Sequence, residues 1–313
     1  VCRKQIKRAR LLDFFRQLEP CLVVMEACGG SHYWARQFRA LGHEVRLIAP
    51  QFVKPYVKGG KNDANDAEAI CEAGSRPTMR YVPVKSEEQQ AALSVHRIRS
   101  RAIRARTALA NEVRGLLGEF GLIAARKGVP ATRALLAEVL EEDSSLPVAM
   151  RGLMSELQDE LQEKDKRIAH LDRLIQQQAR QDERVQRLMQ IEGLGPISAT
   201  AMVAAVGDAS QFKSGRQLAA WLGLVPNQHS SGGKERLGSI SKRGDTYLRT
   251  LLIHGARSAL NASAKKTDPR SIWINEVKSR RNTNIATVAL ANKNARIIWA
   301  LLSKGESYHN AAC

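Results

Sequence analysis

No run of roughly 18 apolar residues, the length that crosses a bilayer as a helix, occurs anywhere in these 313 residues. That excludes a membrane-spanning helix and leaves a membrane surface as a weak choice of partner. No secretory signal is visible either. The chain opens without Met on Val1-Cys2-Arg3-Lys4-Gln5-Ile6, which reads as the tail of a strand in a truncated or partial copy. The five cysteines, Cys2, Cys21, Cys28, Cys71 and Cys313, form no CxxC pair and no Cys/His cluster. A zinc site is therefore not expected, and free thiols in a reducing cytoplasm are. Acidic residues are scarce, 31 against 49 basic ones, for a net charge of +18. So basic a folded chain calls for a polyanionic partner, most simply nucleic acid. No Ser-His-Asp spacing supports a hydrolase triad, and His229 stands too close to Ser230 and Ser231 in sequence to be an obvious base.

What is present builds real cores: 43% of the residues are hydrophobic, which fits two or three domains. Residues 1–85 alternate helical and strand patterns. Ala9 to Leu18 has helical spacing, Cys21 to Met25 is a continuous apolar run ending in Glu26, and Tyr33 to Leu41 is helical. Glu44 to Ala49 reads as a strand stopped by Pro50. Continuous runs suit strands buried on both faces, and the alternation implies an α/β layer fold. Ser31 is a candidate helix cap after the turn at Gly29-Gly30.

Glu26 falls at the carboxyl end of a strand, where open α/β sheets hold ligands. Downstream, Lys61-Asn62-Asp63-Ala64-Asn65-Asp66-Ala67-Glu68 puts Asp63 and Asp66 three residues apart, one turn apart on one helix face. Carboxylates that close repel one another and suit a hard divalent cation such as Mg²⁺. Lys61 and the helix N-terminus soften the repulsion. An N-cap aspartate beside a solvated face is the plainer alternative. With Glu26, the set has enough oxygen ligands for a phosphoryl-transfer site.

Residues 86–185 start a helix at Ser86-Glu87-Glu88. It carries Arg97, Arg99, Arg101, Arg104 and Arg106, with Arg97, Arg101 and Arg104 on one face, a pattern for phosphate contact with DNA or RNA. Pro130, Pro147 and Ser144-Ser145 mark breaks. Leu157, Leu161, Lys164, Ile168, Leu171 and Ile175 then recur at spacings of 4, 3, 4, 3 and 4. That is a coiled-coil seam suited to self-association as a dimer or tetramer, with an internal helical hairpin as the alternative.

Residues 186–313 open on Leu188 to Ala201, which reads as a helix-hairpin-helix. Gly193 and Gly195 allow a tight turn and close backbone approach, and the amides of the next helix suit a phosphate. Trp221 to Lys234 includes a polar loop, His229-Ser230-Ser231-Gly232-Gly233. Beyond it, Ser239 to Asp245 places Lys242 and Arg243 beside glycine, again suited to phosphate. The remainder is helical and basic.

Met25 to Gly30, Leu47 to Pro50 and Lys61 to Glu68, followed by Leu188 to about Leu260, resemble one family in one order. It is the IS-one-ten transposase family of bacterial insertion sequences, with its IS-eleven-eleven branch, related to the Piv DNA invertase. The resemblance implies an amino-terminal RuvC-like, RNase H-type domain with an Asp-Glu-Asp-Asp set. Glu26, Asp63 and Asp66 would be its second, third and fourth acids. The first Asp has no counterpart after Val1, since Asp13 lies in the helical stretch. The resemblance further implies a mainly α carboxyl-terminal transposase domain. Aligned on Gly223-Leu224-Val225-Pro226 and Ser231-Gly232, its nucleophile is Ser231, with Ser230 one residue away. A Mg²⁺-assisted serine attack on donor and target DNA, a covalent phosphoserine and a noncoding guide RNA complete what the family implies. A bacterial cytoplasmic, nucleoid-associated location follows. Two rivals stand beside this reading: a metal-dependent nuclease of the Holliday-junction resolvase kind, and a non-catalytic nucleic-acid-binding remnant.

Overall fold

A computed structural model of the chain describes residues 4–60, 62–141, 146–306 and 308. The expectations placed on Val1–Arg3, Lys61, Ser144, Ser145 and Cys313 lie outside these. Lys4 to Ile6 belong to no strand. The chain divides into two compact units, Val1–Gln90 and Ala91–Cys313.

In the first unit a 3₁₀ turn (Arg8–Arg10) leads into α1 (Leu11–Arg16). β1 (Leu22–Glu26), α2 (Ser31–Ala40), β2 (Glu44–Ile48), α3 (Pro50–Val53), α4 (Asp63–Ser75) and β3 (Tyr81–Val82) follow. The sheet order is β1-β2-β3, with β1 parallel and β3 antiparallel to β2. Side chains alternate across the sheet. Val23, Met25, Val45 and Leu47 pack with Ala35 and Phe38 of α2 on one face. Val24 and Ile48 pack with Val53, Ala69 and Ala73 of α3 and α4 on the other. The sheet is thus covered on both sides, as the alternation of elements implied.

Two local expectations change. The apolar run of β1 is half-buried, with Leu22 46% exposed, because β1 is an edge strand paired only to β2 among the described residues. Ser31 is the first helical residue of α2, not its cap. Gly30 holds the cap position, and the Ser31 hydroxyl donates to the Cys28 carbonyl at 2.8 Å.

The second unit is almost wholly helical. It holds α5 (Glu87–Gly118, whose first turn contains the division), α6 (Val129–Val139), α7 (Val148–Gln181), α8 (Glu183–Met189) and α9 (Pro196–Val206). α10 (Gly215–Trp221), the hairpin β4 (Pro226–Gln228) and β5 (Leu237–Ile240), α11 (Thr246–Ala262), α12 (Pro269–Arg280) and α13 (Thr283–Lys304) complete it. Pro130 and Pro269 sit in the first turns of α6 and α12, where the missing N–H costs nothing. A large core joins α8 to α13 around Leu188, Met202, Leu252 and Ile298. A second joins α5, α6 and α7 around Val113, Leu136 and Leu161.

The heptad seam lies on α7, as its spacing predicted, but it is covered by the chain itself. Leu161, Ile168, Leu171 and Ile175 are all buried within one molecule. Arg99 and Arg106 of α5 pair with Asp172 and Asp165 of α7. Antiparallel α5 and α7 therefore form the internal hairpin, and the seam is not the free face that self-association through it would require. Among the described residues no helix is long and apolar enough to cross a membrane.

Candidate functional site

The acidic set sits on one side of the first sheet. Glu26 is opposite Ile48 in register and shares the parity of Val24, so alternation puts it on the face covered by α4. Asp63 opens α4 and Asp66 falls one turn later. Asn62 caps the helix by accepting from the Asn65 amide at 2.9 Å. The aspartates are thus part of the first helical turn, where the dipole favours them, and Asn62 rather than Asp63 is the cap. Further along α4 the acids are neutralised: Lys58 reaches Glu68 and Glu72, and Arg76 pairs with Glu72 at 2.6 Å. The Arg76 hydrogen bond, with Lys58 behind it, holds the Glu72 carboxyl below its usual range. Glu26, Asp63 and Asp66 make no ion pair among the described residues. Their hard oxygen donors fit a divalent cation such as Mg²⁺. Among the described residues, however, no three His, Cys, Asp or Glu side chains gather closely enough to hold a metal, so the expected triad is present in chemistry but not drawn together.

The serine loop is the exposed turn at the tip of the β4–β5 hairpin. Ser231 and Lys234 bridge across it, and the Lys234 amide donates to the Ser231 carbonyl at 3.1 Å. Gly232 and Gly233 both take positive φ, 56° and 73°, the turn that suits a twisted hairpin. The two serines differ. The Ser230 hydroxyl accepts from Gln228 Nε2 at 3.0 Å and from the Arg236 amide at 3.2 Å. Ser231 is exposed, and its hydroxyl has no hydrogen-bond partner among the described residues.

The basic residues sort by direction. Arg97, Arg101 and Arg104 are exposed and without an acidic partner among the described residues, whereas Arg99 and Arg106 turn inward to α7. Lys242 and Arg243 are exposed on the turn between β5 and α11. At the predicted helix-hairpin-helix, α8 and α9 are joined by Gln190–Gly195. Gly195 caps α9, with open space at its α-carbon. The close approach anticipated at Gly193 is made to Gly255 of α11, within the same chain.

Sequence reasoning passed over a buried polar cluster in this unit. His96 of α5 is 1% exposed. Its Nδ1 lies 3.1 Å from the Tyr247 hydroxyl and its Nε2 3.0 Å from Thr200 Oγ1. Thr200 gives its own proton to the Pro196 carbonyl at 2.6 Å. Nε2 of His96 is therefore the donor to Thr200, and Nδ1 accepts from Tyr247. Burial, with Arg99 adding to it, pushes the His96 pKa down to about 4. Burial likewise raises that of Tyr247. Arg249, 7% exposed, was equally invisible. A single His or Arg within an amphipathic pattern gives no sign of facing inward.

Comparison with known proteins finds matches in two stretches of the chain. A model described as the Transposase IS116/IS110/IS902 family matches residues 185–270, and a DEDD-type IS110 transposase model matches residues 3–121. The chain is 67% identical to a probable family 20 transposase of Pseudomonas aeruginosa, over 98% of this chain and 91% of that one. It is 47% identical to the transposase for insertion sequence element IS1111A of Coxiella burnetii, over 99% and 85%. The transposase for insertion sequence element IS1328 of Yersinia enterocolitica is 39% identical over 97% and 90%. With both of its halves matched and relatives this similar over nearly its whole length, the chain belongs to the IS116/IS110/IS902 family of insertion-sequence transposases.

Proposed function

We propose that this transposase acts as a site-specific DNA recombinase that breaks and rejoins strands through Ser231. The observation that carries the assignment is the difference between the paired serines. Both serines are exposed, but the Ser230 oxygen already accepts two hydrogen bonds inside the hairpin, whereas the Ser231 hydroxyl has no hydrogen-bond partner among the described residues. In the proposed step Ser231 Oγ forms a bond to the phosphorus and its proton passes to water. The bond from phosphorus to one deoxyribose oxygen breaks, and that oxygen takes up a proton. The phosphoserine retains the energy of the broken bond, so attack by a deoxyribose hydroxyl reverses the step and rejoins the strand.

Glu26, Asp63 and Asp66 would hold Mg²⁺, which when bound supplies charge stabilisation at a phosphate. Asp63 and Asp66 have no cationic partner among the described residues, whereas Glu68 and Glu72 of the same helix are paired, which supports that role. Arg97, Arg101 and Arg104, the Gly193–Gly195 turn that leads into α9, and Lys242 with Arg243 would hold nucleic-acid backbone. Such contacts position a duplex without reading it. Sequence choice would fall to base pairing by a noncoding guide RNA, as the family resemblance implies, with donor and target DNA as the substrates.

The test is cleavage of DNA ends in Mg²⁺ with the adjacent noncoding RNA, resolved on denaturing gels. A protein–DNA adduct lost in Ser231→Ala and in Asp63→Ala is the expected outcome. Cleavage with no adduct would point instead to a resolvase-like metal nuclease. RNA binding without cleavage would point to a non-catalytic binding protein.

A further inference from the structure

Arg249, in the first turn of α11, is a buried cation with no carboxylate partner among the described residues. Its Nη1 donates to the Leu222 carbonyl at 3.2 Å and to the Arg243 carbonyl at 3.3 Å, and its Nη2 to Thr246 Oγ1 at 3.2 Å. Leu222 caps the carboxyl end of α10, where exposed carbonyls favour a positive charge. A buried charge is costly compared with an apolar side chain of similar volume. The fork nonetheless does what an apolar side chain cannot: it ties the end of α10 to the turn that carries Lys242 and Arg243.

That turn is held unusually tightly. Lys242 has φ +53°, alone among the described non-glycine residues in taking a positive value, a conformation that is strained for a residue with a Cβ. Strain of this kind persists only where the surroundings enforce it. Here the Lys242 amide donates to the Gly223 carbonyl at 3.2 Å and the Ser241 amide to the Val225 carbonyl at 2.8 Å. Gly223 and Gly244 bring the two backbones so close that a Cβ on either would collide with the Arg243 or Trp221 carbonyl oxygen. Both Lys242 and Arg243 keep their side chains exposed. The result is two cations displayed on a strained, clamped turn.

We infer that Arg249 is a positioning residue, which sets the Lys242–Arg243 turn so that its two cations meet neighbouring phosphates of duplex DNA without itself touching the DNA. The inference rests on the proposed reading of Lys242 and Arg243 as phosphate contacts. Its test is the dependence of duplex binding on salt. Each phosphate contact contributes about 0.9 to the slope of log affinity against log salt concentration. The full chain would be compared with Arg249→Met, Arg249→Lys, the Lys242→Ala/Arg243→Ala pair, and that pair combined with Arg249→Met.

The pair is expected to lower the slope by about 2. Arg249→Met is expected to lower it by about 1 or more, although no exposed charge has been removed. The combined variant should fall no further than the pair. Arg249→Lys keeps the charge but cannot span both carbonyls, so it should lie between wild type and Arg249→Met; it decides the matter alone if Arg249→Met does not fold. A melting temperature lowered with the slope unchanged, or losses that add in the combined variant, would overturn the inference. If the Lys242/Arg243 pair itself left the slope unchanged, the underlying reading would fail with it, a result distinct from failure at Arg249 alone.

Discussion

Gly193 and Gly255 meet backbone to backbone: a Cβ on either would fall on the other's carbonyl oxygen. The turn before α9 therefore crosses the middle of α11 at a distance only two glycines permit. Gly193 also has φ +88°, so Gly193→Ala meets strain as well as collision. It should cost about 2 kcal/mol or more in chemical denaturation. Gly195→Ala faces open space and should cost less than about 1 kcal/mol, which makes it the variant in which DNA affinity can be read without loss of fold.

His96 makes this unit acid-sensitive. Its folded pKa of about 4 lies below the usual value near 6.5, so the folded state binds its proton less readily than the unfolded one. The stabilisation is complete above about pH 6.5 and disappears as the pH falls toward 4, on the order of 3 kcal/mol in all. Protonation would put a second donor on Nδ1, opposite the Tyr247 hydroxyl, with Arg99 already close. His96→Gln should be less stable at pH 7 and should flatten the decline between pH 6.5 and 4 in equilibrium unfolding. An unchanged decline would assign the acid sensitivity to other groups.

Leu161→Ala should destabilise the single chain, by about 2–5 kcal/mol, because Leu161 is 1% exposed inside the α5–α6–α7 core. The unfolding midpoint should not depend on protein concentration. A midpoint that rises with concentration, and a Leu161→Ala defect that shrinks with it, would restore the seam as a contact between copies.

Mg²⁺ should raise the melting temperature of the wild-type chain, by the equivalent of about 2.7 kcal/mol at a hundredfold excess over its Kd. Asp63→Asn/Asp66→Asn should lose that response. In metal-free buffer the relief of like-charge repulsion is set against the lost helix-dipole interaction, so its stability should stay within about 1 kcal/mol of wild type. An intact response in the double variant would remove both aspartates from the metal site.

The elements that were legible in the sequence are those whose signal is local. The apolar runs at Leu22–Glu26 and Glu44–Ile48, the Asp63–Asp66 turn and the seam of α7 are each written in consecutive residues, and each forms where its spacing put it. What covers each element was not legible. The strength of the seam could not say whether α5 or a second chain would lie against it. The acids that decide the matter, Asp165 and Asp172, stand 59 and 73 residues from Arg106 and Arg99. The face shared by Arg97, Arg101 and Arg104 was legible from their spacing, but for the same reason the inward pairing of Arg99 and Arg106 was not. At the candidate site, residue types carried the acids and the serine. The hydrogen bonds that separate Ser230 from Ser231 depend on hairpin register, and the carbonyls around Arg249 depend on tertiary packing.

The most direct measurement is to trap the protein–DNA adduct on a nicked substrate that cannot be rejoined, digest it, and locate the phosphodeoxynucleotide remnant by mass spectrometry. The remnant is expected on the peptide containing Ser231, at Ser231 itself, with the signal absent in Ser231→Ala and retained in Ser230→Ala. A remnant on Ser230, or strand cleavage that leaves no remnant on the protein, would contradict the assignment of Ser231.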